Sequence, residues 1–235
     1  MKTIITGMGR SGSMWLAEYL QVKHEPRSYL NKEIFYGLCN DNLSNHTDLI
    51  KNIVDGLRDD HIEVNSFMRL SIKELIECGI NVIGLIRHPQ FVATSMWNAE
   101  VFASDDKRLL DNLKIKLGFD SSDSFSRMKC LLRLWNLTAV ALLKYCDANI
   151  IKFEKLLSNE EYANEIGKLL DIPFNSVRWN EYKNQKINVT SKVSKYAFDW
   201  CIDEDANKKM LYNECGDMMN RFGYEFVKIR GKHYE

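Results

Sequence analysis

Thr6-Gly7-Met8-Gly9-Arg10-Ser11-Gly12-Ser13-Met14-Trp15-Leu16 stands between a short apolar run at 2–6 and a helical pattern at 13–20. A glycine-rich turn that leaves a strand and opens a helix gathers backbone N–H groups at a helix N-terminus, which makes an anion site. Against the nucleoside-triphosphate pattern GxxxxGK[ST], Gly7 and Gly12 fit, but Ser13 holds the lysine position and Met14 the Ser/Thr position. The phosphate lysine and the magnesium hydroxyl are both missing. What stays is the backbone cradle with a cation set earlier, at Arg10, a combination suited to an anion that needs no bound Mg²⁺. The same letters also fit an ordinary strand-turn-helix junction whose glycines serve geometry alone.

Working outward, short apolar runs at 2–6, 62–65, 81–86 and 149–153 read as buried parallel strands. Helical patterns at 13–20, 47–57, 71–78, 91–98 and 125–145 lie between them, giving the βαβ rhythm of a parallel sheet covered on both faces. A last helix over about 204–222 aligns Ala206, Met210, Leu211, Cys215, Met218 and Phe222 and stops at Gly223. Residues 38–46 and 104–124 are polar and poorly periodic, which predicts loops or lids over a site. On the helix at 125–145, Leu131, Leu132, Trp135, Val140 and Leu143 are expected to form a core stripe, and Trp15 to pack its helix on the sheet. Trp97, Trp179 and Trp200 suit either packing or a pocket lining.

The 235 residues, 45% hydrophobic, can bury one sizeable core, so a single α/β domain spanning 1–235 is expected, with a central parallel sheet flanked by helices. Net charge is zero, so no global field draws the chain to nucleic acid or an anionic membrane, and any anion must be held locally. The six cysteines form no CxxC pair and no zinc-type cluster, and read as reduced thiols filling the core. A strand begins almost at Met1 and no apolar stretch reaches membrane-span length, so the expected location is the cytoplasm.

The strand at 81–86 leads into Arg87-His88-Pro89-Gln90-Phe91-Val92-Ala93-Thr94-Ser95. A guanidinium fork at a strand's carboxyl end and a hydroxyl eight residues on, inside the next helix, form a second grip for a phosphate. A structural ion pair and a helix-surface serine are the alternative.

The run Arg10-Ser11-Gly12-Ser13 resembles the 5′-phosphosulfate loop of the sulfotransferases, where Arg or Lys precedes Ser-Gly-Ser/Thr. Arg87 and Ser95 resemble that family's 3′-phosphate pair. Residues 62–66 are similar to its second central strand, 149–156 to its strand ending in Arg-Tyr-Glu-Asp-Leu, and 220–224 to its closing Leu-Gly-Tyr. Two positions depart: Phe153 replaces an aromatic hydroxyl, and Ala99 stands where some members add an arginine.

The resemblance implies a P-loop-like sulfotransferase architecture using 3′-phosphoadenosine-5′-phosphosulfate (PAPS), releasing 3′-phosphoadenosine-5′-phosphate (PAP) and needing no metal. It places Gly9, Arg10, Ser11, Gly12, Ser13, Met14, Trp15, Arg87 and Ser95 on the donor, with Arg10 and Ser13 beside the bridging oxygen and Arg10 catalytic as well. Lys195 falls in a segment the family folds over the donor, though a solvated lysine fits there too.

Transfer to a hydroxyl needs a base beside the loop. Several sulfotransferases carry a catalytic Glu after the first helix, which selects Glu25, with His24 as substitute. A surface carboxylate paired with Arg27 or Lys23 is the plain alternative. A small molecule, glycan or lipid is the expected acceptor, and the oligomeric state is not legible. Two rivals remain: a small-metabolite kinase, which predicts Mg²⁺ and ATP dependence, and a nucleotide binder that performs no transfer.

Overall fold

The computed structural model describes residues 1–25, 46–103, 111–123, 125–185 and 198–229. Five parallel strands, β1 (Thr3–Gly7), β2 (Lys23–His24), β3 (Ile62–Val64), β4 (Asn81–Ile86) and β5 (Ile150–Lys152), form one sheet in the order β2-β3-β1-β4-β5. β1 runs down the centre with all five residues buried. It aligns Thr3 with Ile62 of β3 on one side and with Asn81 of β4 on the other.

Side chains alternate across a strand, and the two faces carry separate cores. Ile4, Val82 and Ile86 point into one core; Ile5, Ile83, Leu85 and Ile151 point into the other. The first face is covered by α2 (His46–Asp55), α3 (Ile72–Glu77), α4 (Pro89–Asn98), α5 (Asp111–Lys116), α6 (Ser126–Tyr145) and α10 (Glu204–Phe222). The second is covered by α1 (Ser13–Leu20), α7 (Phe153–Ser158), α8 (Glu160–Leu169) and α9 (Ser176–Tyr182). A 3₁₀ turn, Ser66–Leu70, follows β3 and is capped by Asn65, whose side chain accepts from the Phe67 N–H.

Several expectations need correcting. Residues 111–116 form a helix, because Leu113 and Leu117, one turn apart, anchor it in the core; residues 38–45 and 104–110 lie outside the described part. The buried stripe of α6 runs through Met128, Leu131, Leu132, Trp135, Ala139 and Leu142, so Val140 faces outward at 43% exposure and Leu143 is only half-buried. On α10, Asn207 is buried and Ala206 half-buried: the Asn207 amide donates to the carbonyls of Asp199, Trp200 and Ile202, which docks the segment before the helix. Gly223 ends α10 with φ 70°, as a C-terminal cap should.

The described cysteines are free thiols, and Cys130, Cys146 and Cys215 are buried. Among the described residues no helix is long and apolar enough to cross a membrane.

Candidate functional site

The carboxyl ends of β1 and β4 lie side by side, with Gly7 paired to Leu85, and in open parallel sheets this is where ligands sit. A Cβ on Gly7 would stand 2.0 Å from the Leu85 carbonyl oxygen, so only glycine lets the strands meet as the loop departs. Beyond it the chain turns on two left-handed residues, Arg10 (φ 71°) and Gly12 (φ 93°), with the Ser11 N–H donating to the Met8 carbonyl at 3.1 Å. A non-glycine residue held there costs about 1–3 kcal/mol, a strain typical of functional loops. Helix α1 then opens with no side-chain cap and no acidic residue in its first turn. Its first amides keep their positive end toward the loop.

Arg10 is tied to the second grip. Its Nε donates to Ser95 Oγ at 2.9 Å, and Arg87 Nη1 donates to the Arg10 carbonyl at 3.2 Å. The Arg87 guanidinium lies 5.5 Å from the Phe91 ring centre and 5.3 Å from that of Phe153, while its carbonyl accepts from Trp135 Nε1 at 2.8 Å. Burial is the main influence holding the Arg87 guanidinium below its ordinary pKa, with Glu154 opposing and Arg10 reinforcing. It stays charged, as guanidinium groups in proteins do.

His88 caps α4. Its Nδ1 accepts from the Gln90 N–H at 3.2 Å and its Nε2 donates to the Glu225 carbonyl at 2.6 Å, which defines a neutral ring protonated on Nε2. Burial foremost lowers its pKa. Pro89 occupies the first helical position, where its missing N–H costs nothing.

Both grips open on one cavity of about 630 Å³. Arg10 and the first turn of α1, from Gly12 to Trp15, form one wall; Arg87 with Phe91, Thr94, Ser95 and Asn98 of α4 forms another. Phe153 and Leu157, the run Lys183-Asn184-Gln185, and Ile229 complete it. Three cations, Arg10, Arg87 and Lys183, and no carboxylate stand among the described lining residues. The local field favours a multiply charged anion.

Two solved structures share this architecture. The sulfotransferase domain from the curacin biosynthetic pathway aligns over 97% of this chain and 99% of its own, at 14% identity and a TM-score of 0.51. A sulfotransferase from Alicyclobacillus acidocaldarius aligns over 96% of this chain and 97% of its own, at 10% identity and a TM-score of 0.53. The chain has the sulfotransferase fold. No protein-family model and no curated protein sequence matches it.

On this sulfotransferase fold, the expected donor residues Arg10, Gly12, Ser13, Met14, Trp15, Arg87 and Ser95 all line the cavity. Gly9 and Ser11 do not: Gly9 lies toward Ser66 Oγ, and the buried Ser11 hydroxyl has no hydrogen-bond partner among the described residues. Lys195 lies outside the described residues.

Trp15 is 4% exposed, stacked on Tyr19 at 5.2 Å and edge-on to Phe153, with Nε1 donating to the Tyr182 carbonyl at 2.9 Å. Trp97, Trp179 and Trp200, like Trp135, lie off the described cavity lining. Trp179 donates to the Leu156 carbonyl, Trp200 to Thr94 Oγ1, and Trp97 packs on Phe198 and under Arg127.

Glu25 follows β2 with φ 43° and accepts a hydrogen bond from Ser66 Oγ. His24 Nε2 is 3.1 Å from Ser13 Oγ and 3.7 Å from Glu25 Oε1. One ring nitrogen faces both neighbours, so the trio lacks the opposed-nitrogen geometry of a serine-hydrolase relay. Neither residue is in the described cavity lining; His24 contacts the lining residue Ser13, and Glu25 contacts Ser66 and His24.

Sequence reasoning missed Lys183, Asn184, Gln185 and Ile229. It also missed Phe91, Thr94 and Asn98, for which a signal existed: with Ser95 they follow the helical 3-4 spacing along one face of α4.

Proposed function

We propose that the chain is a PAPS-dependent sulfotransferase acting on a hydroxyl or amine of a small molecule, glycan or lipid. The observation that carries this reading is the shared, cation-lined cavity into which the loop at Arg10 and the pair Arg87/Ser95 both open. A bisphosphorylated adenosine has two anionic ends, and two grips on one cavity suit it. The sulfotransferase neighbours add support at the level of fold.

In this reading Arg87 and Ser95 hold the 3′-phosphate. The α1 amides, Ser13 and Arg10 hold the 5′-phosphosulfate, with Arg10 released from Ser95 to meet charge developing on the bridging oxygen. The acceptor oxygen or nitrogen forms a bond to sulfur as the sulfur–oxygen bond to PAP breaks, and the acceptor proton passes to Glu25. Ser66 orients that carboxylate through Oε1, which leaves Oε2 for the proton. No metal step is needed, because the loop lacks the lysine and hydroxyl that a Mg²⁺-nucleotide loop uses.

A second reading, a nucleotide-binding protein that performs no transfer, draws on the position of Glu25 and His24 outside the described cavity lining. Calorimetry of PAP beside ATP·Mg²⁺ tests the donor class: tight one-to-one PAP binding with weak ATP binding is expected, and a preference for ATP·Mg²⁺ overturns it. Sulfate release or transfer from PAPS, lost in Glu25→Ala, then separates the enzyme from the binder.

A further inference from the structure

Segment 224–229 follows α10 without regular secondary structure and is fastened to the first turn of α4 by side chains rather than by a strand ladder. Gln90, fully buried, clamps Val227 from both sides: Nε2 donates to the Val227 carbonyl at 2.8 Å and Oε1 accepts the Val227 N–H at 2.7 Å. His88 Nε2 donates to the Glu225 carbonyl at 2.6 Å. Tyr224 donates to Glu154 Oε2 at 3.1 Å, and Glu154 Oε1 accepts the His88 N–H at 2.8 Å. Farther along, the Ile229 carbonyl accepts from the Trp200 N–H at 3.2 Å, and Ile229 itself lines the cavity.

Apart from the Trp200 bond, these fastenings land within a few residues of Arg87 or on the carboxylate that faces it. Glu154 is the favourable charge opposing the desolvation of Arg87, and Tyr224 and His88 fix both of its oxygens. The Arg87 carbonyl is meanwhile held by Trp135, which packs edge-on against Tyr224. The segment thus touches the cavity twice: once through Ile229 in its wall, and once through the residues that set where Arg87 and the start of α4 lie.

We infer that segment 224–229 is a positioning arm of the nucleotide site, with Gln90 as the residue that couples the arm to Arg87. The inference rests on the nucleotide reading of the cavity. It makes nucleotide binding and arm fastening two sides of one equilibrium, since a coupling between sites is reciprocal.

Two measurements with PAP as the probe test it. Val227→Pro removes the N–H that Gln90 accepts and alters no residue of the cavity wall. By calorimetry at 20 °C its Kd for PAP should rise at least fivefold, with stoichiometry still one to one, in the range of ordinary couplings. In the unaltered chain, amide exchange at Val227 and Ile229 should slow on adding PAP, by more than exchange on the outer face of α8. Should Val227→Pro not fold, Gln90→Leu, which removes the same clamp from outside the described cavity lining, replaces it in the calorimetry, with the same direction expected.

An unchanged Kd in the folded variant, or no slowing at Val227 and Ile229, overturns the arm. Failure of the unaltered chain to bind PAP overturns the nucleotide reading on which it rests.

Discussion

Replacing Gly12 by alanine sets a Cβ 2.3 Å from Phe153 Cε2, 2.5 Å from Cδ2 and 2.6 Å from Cζ. Carbon atoms rest at about 3.5–4.0 Å, so the ring has to retreat by roughly 1 Å or more. It has little room: Phe153 is 5% exposed, edge-on to Trp15 at 5.6 Å, with Arg87 at 5.3 Å over its face. Over-packing of this kind costs about 1–3 kcal/mol. An L-residue at φ 93° adds about 1–2 kcal/mol. The expected loss is about 2–5 kcal/mol, a large part of the roughly 5–15 kcal/mol that holds a domain folded.

Urea unfolding measures that loss, and calorimetry with PAP measures its second effect, since the displaced ring pushes on Arg87. Phe153→Leu should relieve the clash, so the double mutant should be more stable than the sum of the single changes by at least about 1 kcal/mol. A Gly12→Ala variant within about 1 kcal/mol of wild type, or a strictly additive cycle, refutes the argument.

Arg87→Ala should weaken PAP binding by about ten- to a hundredfold, the loss of charge-assisted hydrogen bonds, and change turnover of bound donor less; equal affinity by calorimetry refutes it. Glu25→Ala should lower transfer by about a hundredfold or more while leaving PAP affinity nearly intact, as removal of a general base does, and initial rates against PAPS check this. Because His88 has a lowered pKa in the folded chain, the unfolded chain binds the extra proton first as pH falls. Stability contributed by His88 is therefore whole above about pH 6.5 and declines below it, by at most about 1.4 kcal/mol per pH unit. Urea midpoints between pH 5 and 7.5 should show this slope, and His88→Asn, which can still cap α4, should flatten it.

The sheet was legible because buried parallel strands write themselves as unbroken apolar runs, as 81–86 does. Edge strand β2 has only two residues, Lys23 and His24, and is held by pairing with β3 instead of by apolar content. Helices α7, α8 and α9 cover one face of the sheet with few buried residues each, so their stripes are short. Lys152 ends β5 and Phe153 starts α7 with no turn residue between, which is why the apolar run 149–153 read as one strand.

At the site, the motif residues were legible because loop chemistry depends on local order: glycine, cation, glycine, hydroxyl. Lys183 carries no such mark. It reaches the cavity because Trp15 Nε1 holds the carbonyl of its neighbour Tyr182, a contact between residues far apart in the chain. Segment 224–229 was invisible for the same reason, since its partners, Gln90 and His88, look like ordinary first-turn residues of α4.

The cavity draws its walls from β1's loop, α4, α7, the run after α9 and Ile229, so no stretch of the chain contains it alone. The glycine turn waits for Phe153, far along the chain, to back it and for Tyr224 and Val227 to secure its opposite wall. A nascent or nicked chain missing any one of those pieces has no complete ligand cage. Occupancy by a nucleotide would then mark chains that carry every one of those pieces, and would protect from proteolysis only molecules in which they had come together.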